Sequence, residues 1–198
     1  MKATLFVLII ALFMLGCGNE KGIVDATKLL DRNGIKYLPN KETPFTGQAV
    51  SFYENWQKKS EENYKKGKPE GLMTMWYKNG QKNMEVTYKE GKKEGLYTFW
   101  FNNGKKYQQQ HYEDGKKIGI FREWYPSGQK KWEGIYKEDK PNGLWTLWYE
   151  NGNKWREGNR KGYENIGLWI YYNDDGTEKS RRTYKNGKAG PTHFEIKN

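Results

Sequence analysis

Residues Gly143–Gly152 read GLWTLWYENG: a glycine opens the stretch, apolar and aromatic residues fill it, and Asn-Gly closes it. The rest of the chain reads as copies of this stretch and the segments that join them. Gly47, Gly71, Gly95, Gly119, Gly143 and Gly167 stand 24 residues apart without insertion. Five residues after each comes Phe52, Trp76, Trp100, Trp124, Trp148 or Tyr172. Nine after come Gly80, Gly104, Gly128, Gly152 and Gly176, with Trp56 in the first copy instead. Seventeen after come Tyr64, Tyr88, Tyr112, Tyr136 and Tyr184, with Arg160 in the fifth copy instead. A fixed period of this length marks a repeat architecture, in which each copy is one supersecondary element and burial comes from stacking neighbours.

Within Gly71–Glu94, Leu72–Tyr77 is apolar and aromatic, Asn79-Gly80 follows, and Gln81–Tyr88 returns. Asn-Gly is the strongest short hairpin signal, because a type I′ turn needs positive φ at both central residues. Glu90–Gly95 then reads as a polar connection to the next copy. Glycine recurs too often for helix, and no spacing of three or four persists. Pro69 and Pro141 fall in connections, Pro126 in a hairpin loop, and Pro191 replaces an opening glycine. None falls inside a predicted strand, where it would remove a ladder bond. The expected fold is all-β: an elongated single-layer antiparallel β-meander of about six 24-residue hairpin repeats with half-repeat caps. Two strands per copy plus caps give roughly thirteen or fourteen strands. Residues 29–46 read as a degenerate N-terminal capping repeat, 47–190 as the six repeats, and 191–198 as a C-terminal capping strand containing Thr192–Ile196. Ile23–Leu30 reads equally as a short strand or a helical turn.

Strands about 4.8 Å apart place equivalent residues of successive copies about 9.6 Å apart, so residue type becomes ladder chemistry. With Asn79-Gly80 as a two-residue loop, Tyr77 faces Lys82, Trp76 faces Asn83, Met75 faces Met84 and Gly71 faces Tyr88, where the missing side chain leaves room for the ring. Trp76, Trp100, Trp124 and Trp148 then form an aromatic row on one face. Tyr77, Phe101, Tyr125 and Tyr149 form a row on the other, opposite a basic row of Lys82, Lys106, Lys130 and Lys154. The four tryptophans and these four lysines are the candidate binding residues. Glu61, Glu85, Glu133 and Glu157 form an acidic row, and Lys68, Lys92, Lys116 and Lys140 a second basic one.

The 198 residues are only 35% hydrophobic, with mean hydropathy −1.12, yet the 16% that are aromatic sit at fixed places, so the polar average is compatible with an ordered array. The net charge of +11 favours acidic partners or simply solubility. His111 and His193 are the only histidines, and Cys17 is the only cysteine. There is no HExxH, no paired cysteine and no GxxxxGK[ST], so the chain reads as non-catalytic, with no metal and no cofactor.

Met1-Lys2 is a short positive start and Ala3–Leu15 is uncharged and mostly apolar. That run is too short to span a bilayer and fits a signal-peptide core. It ends in Met14-Leu15-Gly16-Cys17, which resembles a bacterial lipobox with Met14 where leucine is usual. The resemblance implies a signal peptide at 1–16, lipidation of Cys17 and a tether over 17–28. It implies anchorage to a membrane on its extracytoplasmic side: the outer membrane or periplasmic face if the cell is Gram-negative, as Gly18 after the cysteine suggests. Export argues against a nucleic-acid partner.

WYKNGQKNMEVTYKEGKKEGLYTFW (Trp76–Trp100) and WYENGNKWREG (Trp148–Gly158) resemble MORN-type repeats, in particular the bacterial variant in proteins labelled YwqK-family antitoxins. The resemblance covers 47–190 well and 29–46 weakly. It implies a repeat scaffold that binds a protein partner, with an antitoxin or immunity-type role by label. The alternative is a binding module for anionic lipid or cell-wall glycan through the basic and aromatic rows. Trp56, and Asn159–Tyr163 in the fifth copy, depart from the pattern and read as strain relief, a bend or a partner site.

Overall fold

Two kinds of turn, alternating along the chain, convert the 24-residue period into strands. The computed structural model describes residues 22–194; Cys17, the signal segment 1–16 and the chain from 195 onward lie outside the described residues. At the tip after each tryptophan, the chain makes a three-residue loop. The carbonyl of Tyr77 accepts from Gly80 N–H at 2.9 Å, and Tyr77 N–H donates to the Gln81 carbonyl at 2.8 Å. Gly80 has φ 84°, whereas Asn79 is not among the residues of positive φ. This is a type I turn closed by a left-handed glycine, not the expected type I′ turn. The type I′ geometry lies in the connections instead, at Lys66-Gly67 (φ 50° and 76°), Asp114-Gly115 (49° and 83°) and Asn186-Gly187 (51° and 73°). The polar connection is therefore itself a tight hairpin turn. In the fifth copy Gly162 has φ 62° and is followed by Tyr163, the pattern of a type II′ turn.

Where a tip carries asparagine before its glycine, the side chain gives the reason. Asn151 Oδ1 accepts from Asn153 N–H at 2.9 Å, an Asx turn, while its Nδ2 donates to the Asp174 carbonyl in the next tip at 2.6 Å. Asn103 does the same with Lys105 N–H (3.0 Å) and the Pro126 carbonyl (3.0 Å). Tyrosines tie adjacent copies in the same way: Tyr125 Oη donates to the Trp148 carbonyl at 2.9 Å, and Tyr149 Oη to the Tyr172 carbonyl at 3.0 Å.

The chain divides into a part through Lys92 and a part from Lys93. The first holds β1 (Ile23–Asp25), a 3-10 turn (Ala26–Lys28), β2 (Leu30–Arg32), β3 (Ile35–Tyr37), β4 (Gly47–Phe52), β5 (Lys58–Lys65), β6 (Lys68–Pro69), β7 (Gly71–Trp76) and β8 (Lys82–Lys89). Ile23–Leu30 is thus both a strand and a helical turn. β1 runs parallel to β4, β4–β5–β7–β8 is an antiparallel meander, and β2–β3 is a separate hairpin. Phe45, Ala49 and Tyr64 form the core here, with Val24, Ala26, Leu29 and Leu38 packed against them.

The second part holds β9 (Lys92–Trp100), β10 (Lys106–Glu113), β11 (Lys116–Trp124), β12 (Lys130–Lys137), β13 (Lys140–Trp148), β14 (Lys154–Lys161), β15 (Glu164–Tyr172), β16 (Glu178–Lys185) and β17 (Lys188–Phe194), each paired antiparallel with the next. The total of seventeen strands among the described residues exceeds the expected number because the short β1, β2, β3 and β6 add to two per copy. Its core is Phe121, Trp145 and Trp169, lined by Trp132, Tyr136, Tyr171 and Tyr184.

Three expectations are corrected. Trp76 pairs with Lys82 rather than Asn83, because a bulge follows Met75↔Met84 and leaves Asn83 unpaired. The tryptophan and lysine rows therefore share a face. Gly71 does pair with Tyr88, but a Cβ on Gly71 would meet nothing within 4 Å. The glycine is there for its φ of 81° in the bend, not to make room for a ring. Pro69, Pro141 and Pro191 do lie in strands. Pro141 stands opposite Tyr136, one pair in from Lys137↔Lys140, which closes the two-residue turn. Pairs alternate, so its nitrogen faces away from β12, and pairing with β14 begins one residue later at Asn142↔Lys161.

Candidate functional site

Within each part, the predicted tryptophans and lysines come together on one face of its sheet, and the structure shows what occupies them. Trp76, Trp100, Trp124 and Trp148 are all half-buried. Lys58 Nζ lies 5.1 Å from the Trp76 ring centre, Lys106 Nζ 6.0 Å from Trp124 and Lys130 Nζ 5.4 Å from Trp148. Each lysine covers the tryptophan of the following copy with its stem and charge. The same lysines are neutralised along their own strands. Lys82 pairs with Glu85, Lys130 with Glu133 at 3.1 Å, and Lys154 with Glu157 at 2.7 Å. Lys106 has Gln109 in that place. Glu133 also accepts from Arg122 Nε at 2.7 Å. Burial pulls Glu133 and Glu157 upward, but Arg122 and Lys130 on one, and Lys154 and Tyr172 on the other, hold both below the usual carboxylate range. Three of the four lysines of the predicted basic row stand in ion pairs.

The same face carries a feature the sequence reading passed over. Leu96, Ile120, Leu144 and Leu168, each directly after an opening glycine, are 43%, 43%, 52% and 47% exposed. Ile135, opposite Ile120, is 44% exposed. Four equivalent aliphatic side chains left half in water form an apolar row in the part from Lys93, joined by Ile135 beside Ile120 and interrupted by His111 beside Leu96 and Asn159 beside Leu144. The signal was visible: the residue after the opening glycine is aliphatic in each of these copies.

The opposite face holds the aromatic core and a second set of cations. Phe121 pairs with Gly134, and Trp145 pairs with Gly158. A Cβ on Gly134 would lie 2.2 Å from the Trp145 ring. Trp145 stacks on Phe121 at 5.7 Å and meets Tyr136 edge-on at 5.4 Å. Over these rings sit Lys93 (4.7 Å from Tyr97), Lys117 (5.1 Å from Tyr136), Arg160 (5.4 Å from Trp145) and Arg156 (5.7 Å from Trp169). Arg160 takes the place of the repeat tyrosine, which makes the fifth copy's departure a cation laid on the core. Burial, then the charge of Lys117, lowers the affinity of Lys93 for its proton.

In the first part, a cleft of about 440 Å³ lies between β1, the 3-10 turn and the first hairpin, lined by Val24, Val50, Phe52, Tyr53 and Trp56 among others. Trp56 fills the left-handed place that glycine holds in later copies, with φ 63° and 73% exposure. His111 and His193 are both exposed. Among the described residues no group of three or more His, Cys, Asp or Glu could hold a metal ion, and no helix is long and apolar enough to cross a membrane.

Side chains repeated on two faces of a hairpin ladder define a β-hairpin repeat protein whose chemistry is that of surfaces. A family model described as a MORN repeat variant matches residues 69–90, 93–114 and 141–161, and these three stretches are repeats of that type. Each runs from just after one tight turn to the next. The copy after Gly119 keeps the same register and the same two turns. No curated protein matches the chain.

Proposed function

We propose that the protein is a membrane-anchored, non-catalytic β-repeat scaffold that binds a protein partner on a sheet face. The observation that carries this is the row Leu96, Ile120, Leu144 and Leu168, 43–52% exposed and repeated on one face of the sheet. Half-exposed aliphatic residues repeated on one face mark a surface that gains by being covered. The MORN-variant repeats support a scaffold role. Anchorage rests on Cys17 in its lipobox-like context, and an antitoxin or immunity-type partner is the form that the sequence resemblance suggests. The alternative, lipid or glycan binding through Lys82, Lys106, Lys130 and Lys154 with the tryptophan row, is weakened by the glutamates that pair three of those lysines.

The test is co-purification after crosslinking in the source cells, comparing the parent chain with Leu144→Ser/Leu168→Ser. Loss of a specific partner from a variant that stays folded supports the proposal; an unchanged partner list overturns the sheet-face reading. Cys17→Ala should abolish lipid labelling and membrane retention, and retained labelling would contradict the anchor.

A further inference from the structure

The ion pairs among the described residues divide unevenly between the two faces of the part from Lys93. Glu133, Glu157 and Glu178 pair with Lys130 and Arg122, with Lys154, and with Arg181, all on the face of the apolar row. On the aromatic face Glu123 is taken by Lys131 at 2.8 Å. Arg156, Arg160, Arg182, Lys93 and Lys117 lie on that aromatic face in no ion pair among those described, and the first three rest on neutral acceptors or rings. Arg156 Nε and Arg160 Nε are buried without a hydrogen-bond partner. Arg160 spends another nitrogen on a long 3.4 Å bond to the Tyr163 carbonyl. Burial, offset by Tyr136 and reinforced by the charge of Arg156, weakens the hold of Arg160 on its proton.

A half-buried guanidinium with an unsatisfied N–H is costly, and ring faces compensate it only in part. What completes it is a carboxylate, which matches the planar fork with two parallel bonds. We infer that this face is a second binding surface, distinct from the apolar row, and that its ligand is an acidic segment of a polypeptide. The placement favours a chain over a flat lipid surface: Arg156 and Arg160 are half-buried among rings with Nε covered, so a ligand meets only the part of each side chain left open, which a single side chain reaches and a plane of headgroups does not. The spacing agrees. Lys93 on β9 and Lys117 on β11 hold equivalent places two strands apart, which is about 9.6 Å, and Arg182 on β16 lies two residues further along the strand than Ser180, the residue in line with Arg156 on β14. A peptide in the polyproline II conformation has three residues per turn and rises about 3.1 Å per residue, so carboxylates at every third residue lie on one side about 9.3 Å apart and can meet successive cations.

The experiment uses the full chain in nonionic detergent and a fluorescent peptide of Gly and Ser with Glu at every third position. Binding is followed by anisotropy. Arg156→Gln/Arg160→Gln should weaken binding about tenfold or more, as expected for losing charge-assisted hydrogen bonds. Lys130→Gln/Lys154→Gln, on the other face, should change it less than about twofold. Arg156→Lys/Arg160→Lys keeps charge and stem, and should recover part of the affinity while keeping the near-ultraviolet circular dichroism of the parent. Equal losses from both faces, or no binding by the parent chain, overturn the inference. So does a response to micelles doped with phosphatidylglycerol that exceeds the response to the peptide. None of these outcomes touches the apolar row, which Leu144→Ser/Leu168→Ser tests separately.

Discussion

Trp169 occupies the space of the side chain that Gly158 lacks: a Cβ there would stand 2.4 Å from the indole. Trp169 is 2% exposed and its Nε1–H donates to the Asn159 carbonyl at 3.1 Å, so the ring cannot step aside. Gly158→Ala should therefore destabilise the protein by about 1–3 kcal/mol, the usual cost of overpacking. Adding Trp169→Leu to Gly158→Ala should recover part of that loss. Gly143 is the contrast. A Cβ there meets nothing within 4 Å, but φ is 78°. Gly143→Ala should cost about 1–2 kcal/mol through the left-handed backbone, with no rescue by Trp169→Leu. Urea unfolding monitored by tryptophan fluorescence measures both, and rescue at both sites or at neither would contradict the distinction.

Trp56 predicts a gain. It holds φ 63° as a bulky residue and leaves 73% of its surface in water. Trp56→Gly should raise stability by up to about 1 kcal/mol, since relief of left-handed strain exceeds the extra chain entropy of glycine. An unchanged or lower urea midpoint would mean that the indole packs more firmly on the cleft than its exposure indicates.

Asn151 separates two jobs of one side chain. Asn151→Asp keeps the oxygen that accepts from Asn153 N–H and loses the nitrogen that donates to the Asp174 carbonyl. Asn151→Ala loses both. Each hydrogen bond contributes about 1 kcal/mol, but the aspartate also sets a carboxylate oxygen against the Asp174 carbonyl, so the aspartate variant should be at least as destabilised as the alanine variant. An aspartate variant clearly more stable than the alanine variant in chemical denaturation would show that the contact with the Asp174 carbonyl matters little.

The acid and alkaline limits follow from named groups. Glu133 and Glu157 titrate below 4.5 in the fold. Their contribution is present above pH 4.5 and is lost as pH falls through the lowered folded values. The melting temperature should therefore drop below pH 4.5, less steeply in Glu133→Gln/Glu157→Gln. Tyr172 is pushed up to about 12 by burial and then by Glu157. Its contribution is complete below pH 10 and lost as pH rises toward 12. A Tyr172→Phe variant should lose the alkaline slope between those values, and a slope unchanged from the parent would contradict the assignment.

The 24-residue period made the hairpins legible, because Gly143–Gly152 and its copies fix where strands start and turn. It misassigned the tip as a type I′ turn and left the connection without a turn type, since Asn-Gly serves a type I′ turn and a three-residue loop equally well. The faces were less legible for one reason. The bulge that leaves Asn83 unpaired moves Lys82 by one place, and a one-residue slip sends a side chain to the other face. The tryptophan and lysine rows therefore meet where the sequence alone separates them. The arginine face was hidden by a further fact: Arg156, Arg160 and Arg182 occupy three different positions of the repeat, so no row search gathers them. Arg160 was marked only as a departure, and the volume match of Trp145 and Trp169 with Gly134 and Gly158 needs the register to be seen.

The most direct test of partner binding on the apolar row places a photo-crosslinking residue at Leu96, Leu144 or Leu168, and for comparison at Lys137 or Lys185 beside the tight turns. After irradiation of the source cells, mass spectrometry identifies what is joined to each position. The same single protein should be captured from all three row positions and from neither turn position. Capture from the turns alone, or no adduct from any row position, would contradict the scaffold proposal.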